Sequence, residues 1–461
     1  MSIGGWFGAK RMTTFLEKVP ELLYRFSWFL LVLILGYLVS STKIWPHPII
    51  KNGIDAAYDL SANMYGYFGL LPTRHVFPEP RQGSGVTVHK SSKMEPGVTF
   101  VSGFFDNQHA MKVLASDGRE LHRWNVRFGE IFPAPDHILP ANHRPLSEWF
   151  THIHGAYPLS DGSVVFNFDQ HGLTRIDACG KVMWTVNRMT HHSVSRAADG
   201  SFWVPARVYH TREQQHLPLI RAPFFEDQLI QVSADGKVLR EISLLGLLNK
   251  NNLHGIVSPM GLQDMGNVYD DFMHTNDADV LSADVAAAFP QFETGDIAVS
   301  MRNLNLIFVF DPRSERVKWY QIGPWWRQHD PDFLKDGTIS IFDNRSDDTT
   351  FGNVMNGSRI IKIDPVTRAT TTTYAQAGGG KRRRFFTNIM GKHQPLANGN
   401  MLITESTGGR FFEATPSGEI VWQYINRFDD AQVALVTGAI RLPESYFNFR
   451  HVTCQSVGAS Q

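Results

Sequence analysis

Five histidines, His154, His192, His274, His329 and His393, each head a segment that runs through a turn and then into an apolar strand. In the clearest example, His329 is followed by the turn Lys335-Asp336-Gly337 and the strand Ile339-Ser340-Ile341-Phe342, which ends on Asp343, Asn344 and Arg345. One such histidine would satisfy buried backbone groups, since imidazole both donates and accepts. Five at the same place in a repeat predict a ring of imidazoles converging on one axis. Arg302 closes the strand Ile297-Ala298-Val299-Ser300-Met301 that follows His274 and is expected to reach the same space. A fixed guanidinium among neutral imidazoles suits a tetrahedral oxyanion such as sulfate or phosphate; the competing use of Arg302 is a salt bridge to Asp296 or Asp343. Transfer of such a group has a loose transition state with charge on its equatorial oxygens, so positioning and cationic donors supply most of the catalysis. Neutral imidazole is a competent nucleophile, and a covalent intermediate divides the transfer into two easier steps.

The elements that must position these residues recur along the chain. From about residue 97, short strands alternate with Asp-Gly, Asn-Gly, Asp-Pro and Ser-Gly turns, the pattern of an all-β fold. Each unit has an inner strand after the first turn and an outer hairpin that commonly ends on tryptophan or an aliphatic residue. That order predicts four-stranded blades, and six copies over 97–450 predict a six-bladed β-propeller, whose closure removes exposed sheet edges. A pair of β-sandwiches is the alternative fold, and the repeat length argues against it. Two insertions, 205–226 and 244–273, are long enough to lie over a channel mouth. The stretch 378–386, three glycines then Lys381, Arg382, Arg383, Arg384 and two phenylalanines, reads as a solvated loop or as a clamp for an anion or lipid headgroup.

The 461 residues carry 44 basic and 44 acidic side chains and are 43% apolar, so a core can form and nucleic acid is not an expected partner. Residues 26–42 are an uncharged apolar run preceded by Lys10, Arg11, Lys18 and Arg25. The run is just long enough to span a membrane, and the charge bias places 1–25 in the cytoplasm and the bulk of the chain outside it. The expected location is the inner membrane, single-pass, with the C-terminal domain periplasmic or extracellular. A secretory signal is the competing reading, although Val39-Ser40-Ser41-Thr42-Lys43 lacks a clear cleavage pattern. Residues 43–96 read as a connector with a short helix over 52–68, and 451–461 as a tail. Cys179 and Cys454 can pair in an exported compartment or stand as two small hydrophobes.

The motifs Gln328-His329-Asp330 with Phe342-Asp343-Asn344, and His274-Thr275-Asn276-Asp277 with Gly295-Asp296-Ile297 and Ser300-Met301-Arg302, resemble those of the bacterial aryl-sulfate sulfotransferases, which work without the nucleotide sulfate donor. The resemblance covers most of 97–450. It implies that His329 is transiently sulfated, that His274 and Arg302 hold the sulfuryl oxygens, and that His192 is the remaining catalytic histidine, with His191 and His154 as close competitors. His154, His393 and Asn344 would then contact substrate. The implied partners are a small aryl sulfate donor and a phenolic or other hydroxyl acceptor, with no cofactor and no metal. Two features depart from the family. There is no room for a separate N-terminal β-domain, and an aspartate follows the central histidine where a neutral residue is expected. No Walker-type loop or dinucleotide fingerprint is present. A non-catalytic propeller binding an envelope glycan or protein, and a metal-dependent enzyme using converging histidines, are the rival readings.

Overall fold

The computed structural model describes residues 6–42 and 71–454, apart from 216, 218–219, 221, 258–271, 377–383, 448 and 450–453, together with scattered positions between 50 and 64. The basic loop at 381–383, most of the 52–68 helix, half of the second insertion and nearly all of the tail lie outside the described residues.

Six antiparallel sheets form the six-bladed propeller that the repeat predicts. Blade 2 is the simplest, with strands Ile153–Pro158, Val164–Phe168, Gly172–Ile176 and Val182–Val186 in order from the centre. Blades 4, 5 and 6 repeat that order from Thr275–Val280, His329–Phe333 and Lys392–Pro395. Blade 3 splits its inner strand into Met189–Thr190 and Ser195–Arg196, both paired with Phe202–His210. Blade 1 is completed from the far end of the chain: Val436–Leu442 pairs with Val98–Phe105 and becomes its innermost strand. Closure of the ring therefore depends on pairs from Val436 with Gly103 to Leu442 with Val98, residues from opposite ends of the propeller sequence. Part of the 43–96 segment also joins the sheets, since Gly85–His89 pairs with the outer strand Ile420–Ile425 of blade 6 and Val76–Pro78 with Gln432–Ala434.

The turn residues explain why the repeat is visible. Asp161, Asp199, Asp336 and Asn398 each accept a hydrogen bond from the backbone N–H two residues later, at 2.9, 2.9, 3.1 and 2.9 Å, the Asx geometry that lets the chain reverse between inner strands. Tryptophans on the outer strands link successive blades. Trp124 Nε1 donates to the carbonyl of Asp177, Trp184 Nε1 to Ala234, and Trp422 Nε1 to Ser116 across the closure. Between blades the faces are apolar, as where Phe166 and Phe168 meet Phe100, Met111 and Trp124.

Cys179, in an outer turn of blade 2, is bonded to Cys454. Just before it, Tyr446 Oη donates to the carbonyl of Pro158 and Phe449 stacks on His122 at 4.2 Å. The chain beyond the closing strand is thus fastened to the neighbouring blade. Cys179→Ser is expected to lower unfolding free energy by about 2–5 kcal/mol, read from denaturant titration; an unchanged midpoint would mean the bond constrains nothing.

In the N-terminal unit the helix Trp6–Thr42 has a stretch, Leu23–Thr42, long and apolar enough to cross a membrane. Its large side chains, among them Phe26, Trp28, Phe29 and Leu33, are exposed, as a lipid-facing or signal helix requires.

Candidate active site

His154, His192, His274 and His329 gather at one end of the inner strands. Three of them stand eight residues ahead of their turn glycines, Gly162, Gly200 and Gly337. A β-bulge follows His329 and another spans His154, because pairing slips between His329 and Asp332 and between Ile153 and Ala156; blade 4 slips between Thr275 and Asp277. Bulges re-aim side chains without ending a strand. His192 and His274 reach their places with φ of 54° and 53°, a left-handed conformation that a non-glycine residue holds only when its surroundings fix it. At Gly155 a Cβ would run into the carbonyl oxygen of His192, and Asn167 Nδ2 donates to that same oxygen at 2.9 Å. Blades 2 and 3 can approach this closely only because the residue after His154 has no side chain.

The rings form a continuous cluster. The centroid of His192 lies 3.9 Å from His154, 4.9 Å from His274 and 6.4 Å from His329. Arg302 Nη1 donates to His274 Nε2 at 2.9 Å, so His274 accepts through Nε2 and carries its proton on Nδ1. The two carboxylates that could have claimed Arg302 are otherwise engaged, Asp296 with Lys318 and Asp343 with Arg359, each at 2.8 Å. Arg302 reaches the cluster from the same end as His274 because the antiparallel hairpin returns the second strand beside the start of the first.

His329 Nδ1 lies 2.7 Å from Asn344 Oδ1, and Asn344 Nδ2 donates to the carbonyls of Thr387 and Met390 at 3.0 and 2.6 Å. Two carbonyl partners fix which amide atom is nitrogen, so Oδ1 accepts and Nδ1 of His329 must carry the proton. Nε2 keeps its lone pair on the side of the small cavity that His329 lines with His154, His192, Asn276, Lys392 and Thr437. Asn344 therefore orients the histidine, and its amide is spent on protein partners. Burial, the nearby Arg302 charge and neighbouring imidazoles hold His329 well below the usual imidazole range, and burial with His154, His274 and His191 does the same for His192. Both rings are neutral at neutral pH.

His393 is placed elsewhere. It stands six residues before Gly399, and the eight-residue position of blade 6 is Gly391, with φ of 104° and a Cβ that would lie 2.6 Å from the Phe342 ring. The inner strand of blade 6 has no bulge, so His393 points toward the opposite mouth. There its Nδ1 meets Asp330 at 2.9 Å and its Nε2 meets the Ser340 hydroxyl. Asp330 also receives Lys392 Nζ at 2.8 Å, and Lys392 reaches Asp277 at 3.2 Å. These residues border a cavity of about 830 Å³ that also holds Asp279 and Asp332. The aspartate after the central histidine thus belongs to an ion network beneath the cluster and does not face it. Burial and its carboxylate neighbours push Asp279 up to about 7; burial alone would raise Asp330, but Lys392 and His393 hold it low.

Several lining groups were not singled out in the sequence. Asn276 Oδ1 is buried beside the cavity with no hydrogen-bond partner, an acceptor open to a ligand donor. Asp169 lies 2.9 Å from His154 Nδ1, 3.8 Å from His152 Nε2 and 3.9 Å from His192 Nδ1. Among the described residues, two groups bring possible metal-ligand atoms within 4.8 Å of one another, His152, His154 and Asp169, and Asp330, Asp332 and His393.

Comparison with known proteins bears on this site. No curated protein matches the chain. Among solved structures it is similar to a protein of unknown function from Bacteroides caccae, with a TM-score of 0.45 and 10% identity over 75% of this chain and 98% of that one. A streptogramin B lyase gives a TM-score of 0.39 at 11% identity over 77% and 89%, and the Pan2 WD40 domain of Neurospora crassa 0.38 at 8% over 75% and 84%. The family model described as arylsulfotransferase (ASST) matches residues 155–427, a span that holds His192, His274, Arg302, His329 and Asn344. The chain belongs to the arylsulfotransferase family.

Proposed function

We propose that this chain moves a sulfuryl group from an aryl sulfate to a phenolic or other hydroxyl acceptor through a sulfated His329, without a nucleotide donor. The observation that carries this reading is the His329–Asn344 hydrogen bond, which leaves a neutral imidazole with Nε2 unprotonated, in a ring on which the Arg302 charge and His274 act. Attack on sulfur by Nε2 breaks the bond to the aryl oxygen, and the sulfuryl oxygens are held by Arg302 and His274, with His192 as the remaining catalytic histidine. The acceptor then displaces His329 from sulfur. A disulfide and an apolar N-terminal helix support a protein held at the cell envelope with the propeller in an oxidising space.

Mixing the enzyme with a chromogenic aryl sulfate and no acceptor, followed by rapid quench and peptide mass spectrometry, is expected to find a sulfuryl adduct on the peptide bearing His329. The adduct should disappear when a phenol is added and should form equally in chelator. Release of phenol with no adduct overturns the covalent step. Loss of release on chelation would make the histidines metal ligands, and no release from any donor would leave a binding propeller.

A further inference from the structure

Blades 2 and 5 use the same position differently. Asn344 lies 15 residues after His329 and accepts from its Nδ1 at 2.7 Å; Asp169 lies 15 residues after His154 and meets its Nδ1 at 2.9 Å. Each partner follows the second strand of its blade, Val164–Phe168 and Ile339–Asp343. Both partners fix the tautomer, so both histidines turn Nε2 away from the strand. Only one partner carries a charge.

A neutral amide beside His329 adds no negative charge where an anionic sulfuryl group must arrive. A carboxylate beside His154 holds the ring through Nδ1, as the orienting aspartate of a serine hydrolase does, and leaves Nε2 for proton exchange. Asp169 is half-buried beside His152, His154 and His192; burial alone would raise its carboxyl, but the hydrogen bond from His154 and the neighbouring imidazoles keep it low and ionised. His154 itself lines the cavity with His329.

We infer that His154, held by Asp169, is the proton donor and acceptor of the transfer, and that the exchange of asparagine for aspartate at one blade position separates nucleophile from acid–base. This inference rests on the sulfohistidine reading. In the first step the His329 Nε2 lone pair forms the nitrogen–sulfur bond as the bond from sulfur to the aryl oxygen breaks, and the proton on His154 Nε2 passes to that oxygen, releasing the phenol. In the second, the acceptor hydroxyl gives its proton to His154 Nε2 as its oxygen bonds to sulfur and the nitrogen–sulfur bond breaks. His329 recovers its lone pair and His154 its proton. His154 is a catalytic residue on this account, and Asp169 a positioning residue.

The test is a leaving-group series, from 4-nitrophenyl sulfate to phenyl sulfate, on the full detergent-solubilised chain and on Asp169→Asn and His154→Gln. A leaving group that departs without protonation does not need the acid, whereas a basic phenolate does. The loss of kcat/KM in either variant is expected to grow by about 10²-fold across the series. A loss of the same size for every donor, or none, overturns the inference, since displaced geometry would penalise all donors alike. Should Asp169→Asn fail to fold, His154→Gln carries the same comparison. A wild-type chain that forms the His329 adduct while both variants show a flat dependence defeats this inference alone; a wild-type chain that forms no adduct defeats the sulfohistidine reading with it.

Discussion

His329→Ala is expected to lower steady-state transfer by at least about 10³-fold and to abolish the release of phenol that precedes acceptor addition, because a nucleophile and its partners act as a unit. The ring is 4% exposed, and its removal leaves Asn344 Oδ1 without its donor, a cost of about 1–3 kcal/mol. Asn344 keeps both bonds from Nδ2 and the inner strand keeps its pairing with Phe342, so the fold should persist and circular dichroism should match wild type. Loss of transfer in a folded variant then belongs to chemistry. Turnover within tenfold of wild type would sink the assignment. The next candidate would be His192, whose ring centroid is 6.4 Å from that of His329.

Much of this site was legible because its signals are local. A turn needs Asp-Gly or Asn-Gly for reasons of backbone conformation, so the turn that ends an innermost strand is visible in the sequence, although the strand after it lies second from the centre and not innermost; the residue eight places before the turn glycine is the one delivered to the channel. His154, His192 and His329 obey that spacing. His393 was grouped with them by resemblance of pattern, but its six-residue spacing lacks the two positions that the other blades use for a bulge, and it faces the acidic mouth. Asp169 could have been found in the same way, since its distance from His154 equals that of Asn344 from His329. The closing strand could not. Val436–Leu442 has no Asp-Gly or Asn-Gly pair ahead of it to mark a repeat, and only the three-dimensional ring shows that it completes blade 1. The ion network of Asp277, Asp330 and Lys392 was equally hidden, because it joins three blades through residues up to 115 positions apart.

Acid should destabilise this protein, and the buried histidines set the sign. Burial, reinforced by neighbouring charges, holds His75, His192 and His329 well below the usual imidazole value, and burial lowers His109 as well. Once the pH falls below about 6.5, the unfolded chain takes up a proton on each while the folded chain does not, so stability is lost at about 1.4 kcal/mol per pH unit per histidine. Asp279 and Asp332 act in the opposite direction. Burial and carboxylate neighbours raise both, so the folded state keeps protons that the unfolded state has released, and lowering the pH from about 7 toward 4 favours folding by the same slope for each. Among the described residues His122, His137, His152 and His171 are also held low and Asp277 and Asp343 are also raised, so the lowered histidines outnumber the raised aspartates and acid below about pH 6.5 is destabilising on balance. A domain is held by only about 5–15 kcal/mol, so the stability midpoint is expected to fall as the pH drops below about 6.5. Denaturant midpoints followed by tryptophan fluorescence from pH 7.5 to 4.5 would check this. A midpoint that stays level or rises as the pH falls would mean that the acidic mouth outweighs the imidazoles. Such a result would also unseat the neutral state of His192 and His329 on which nucleophilic attack depends.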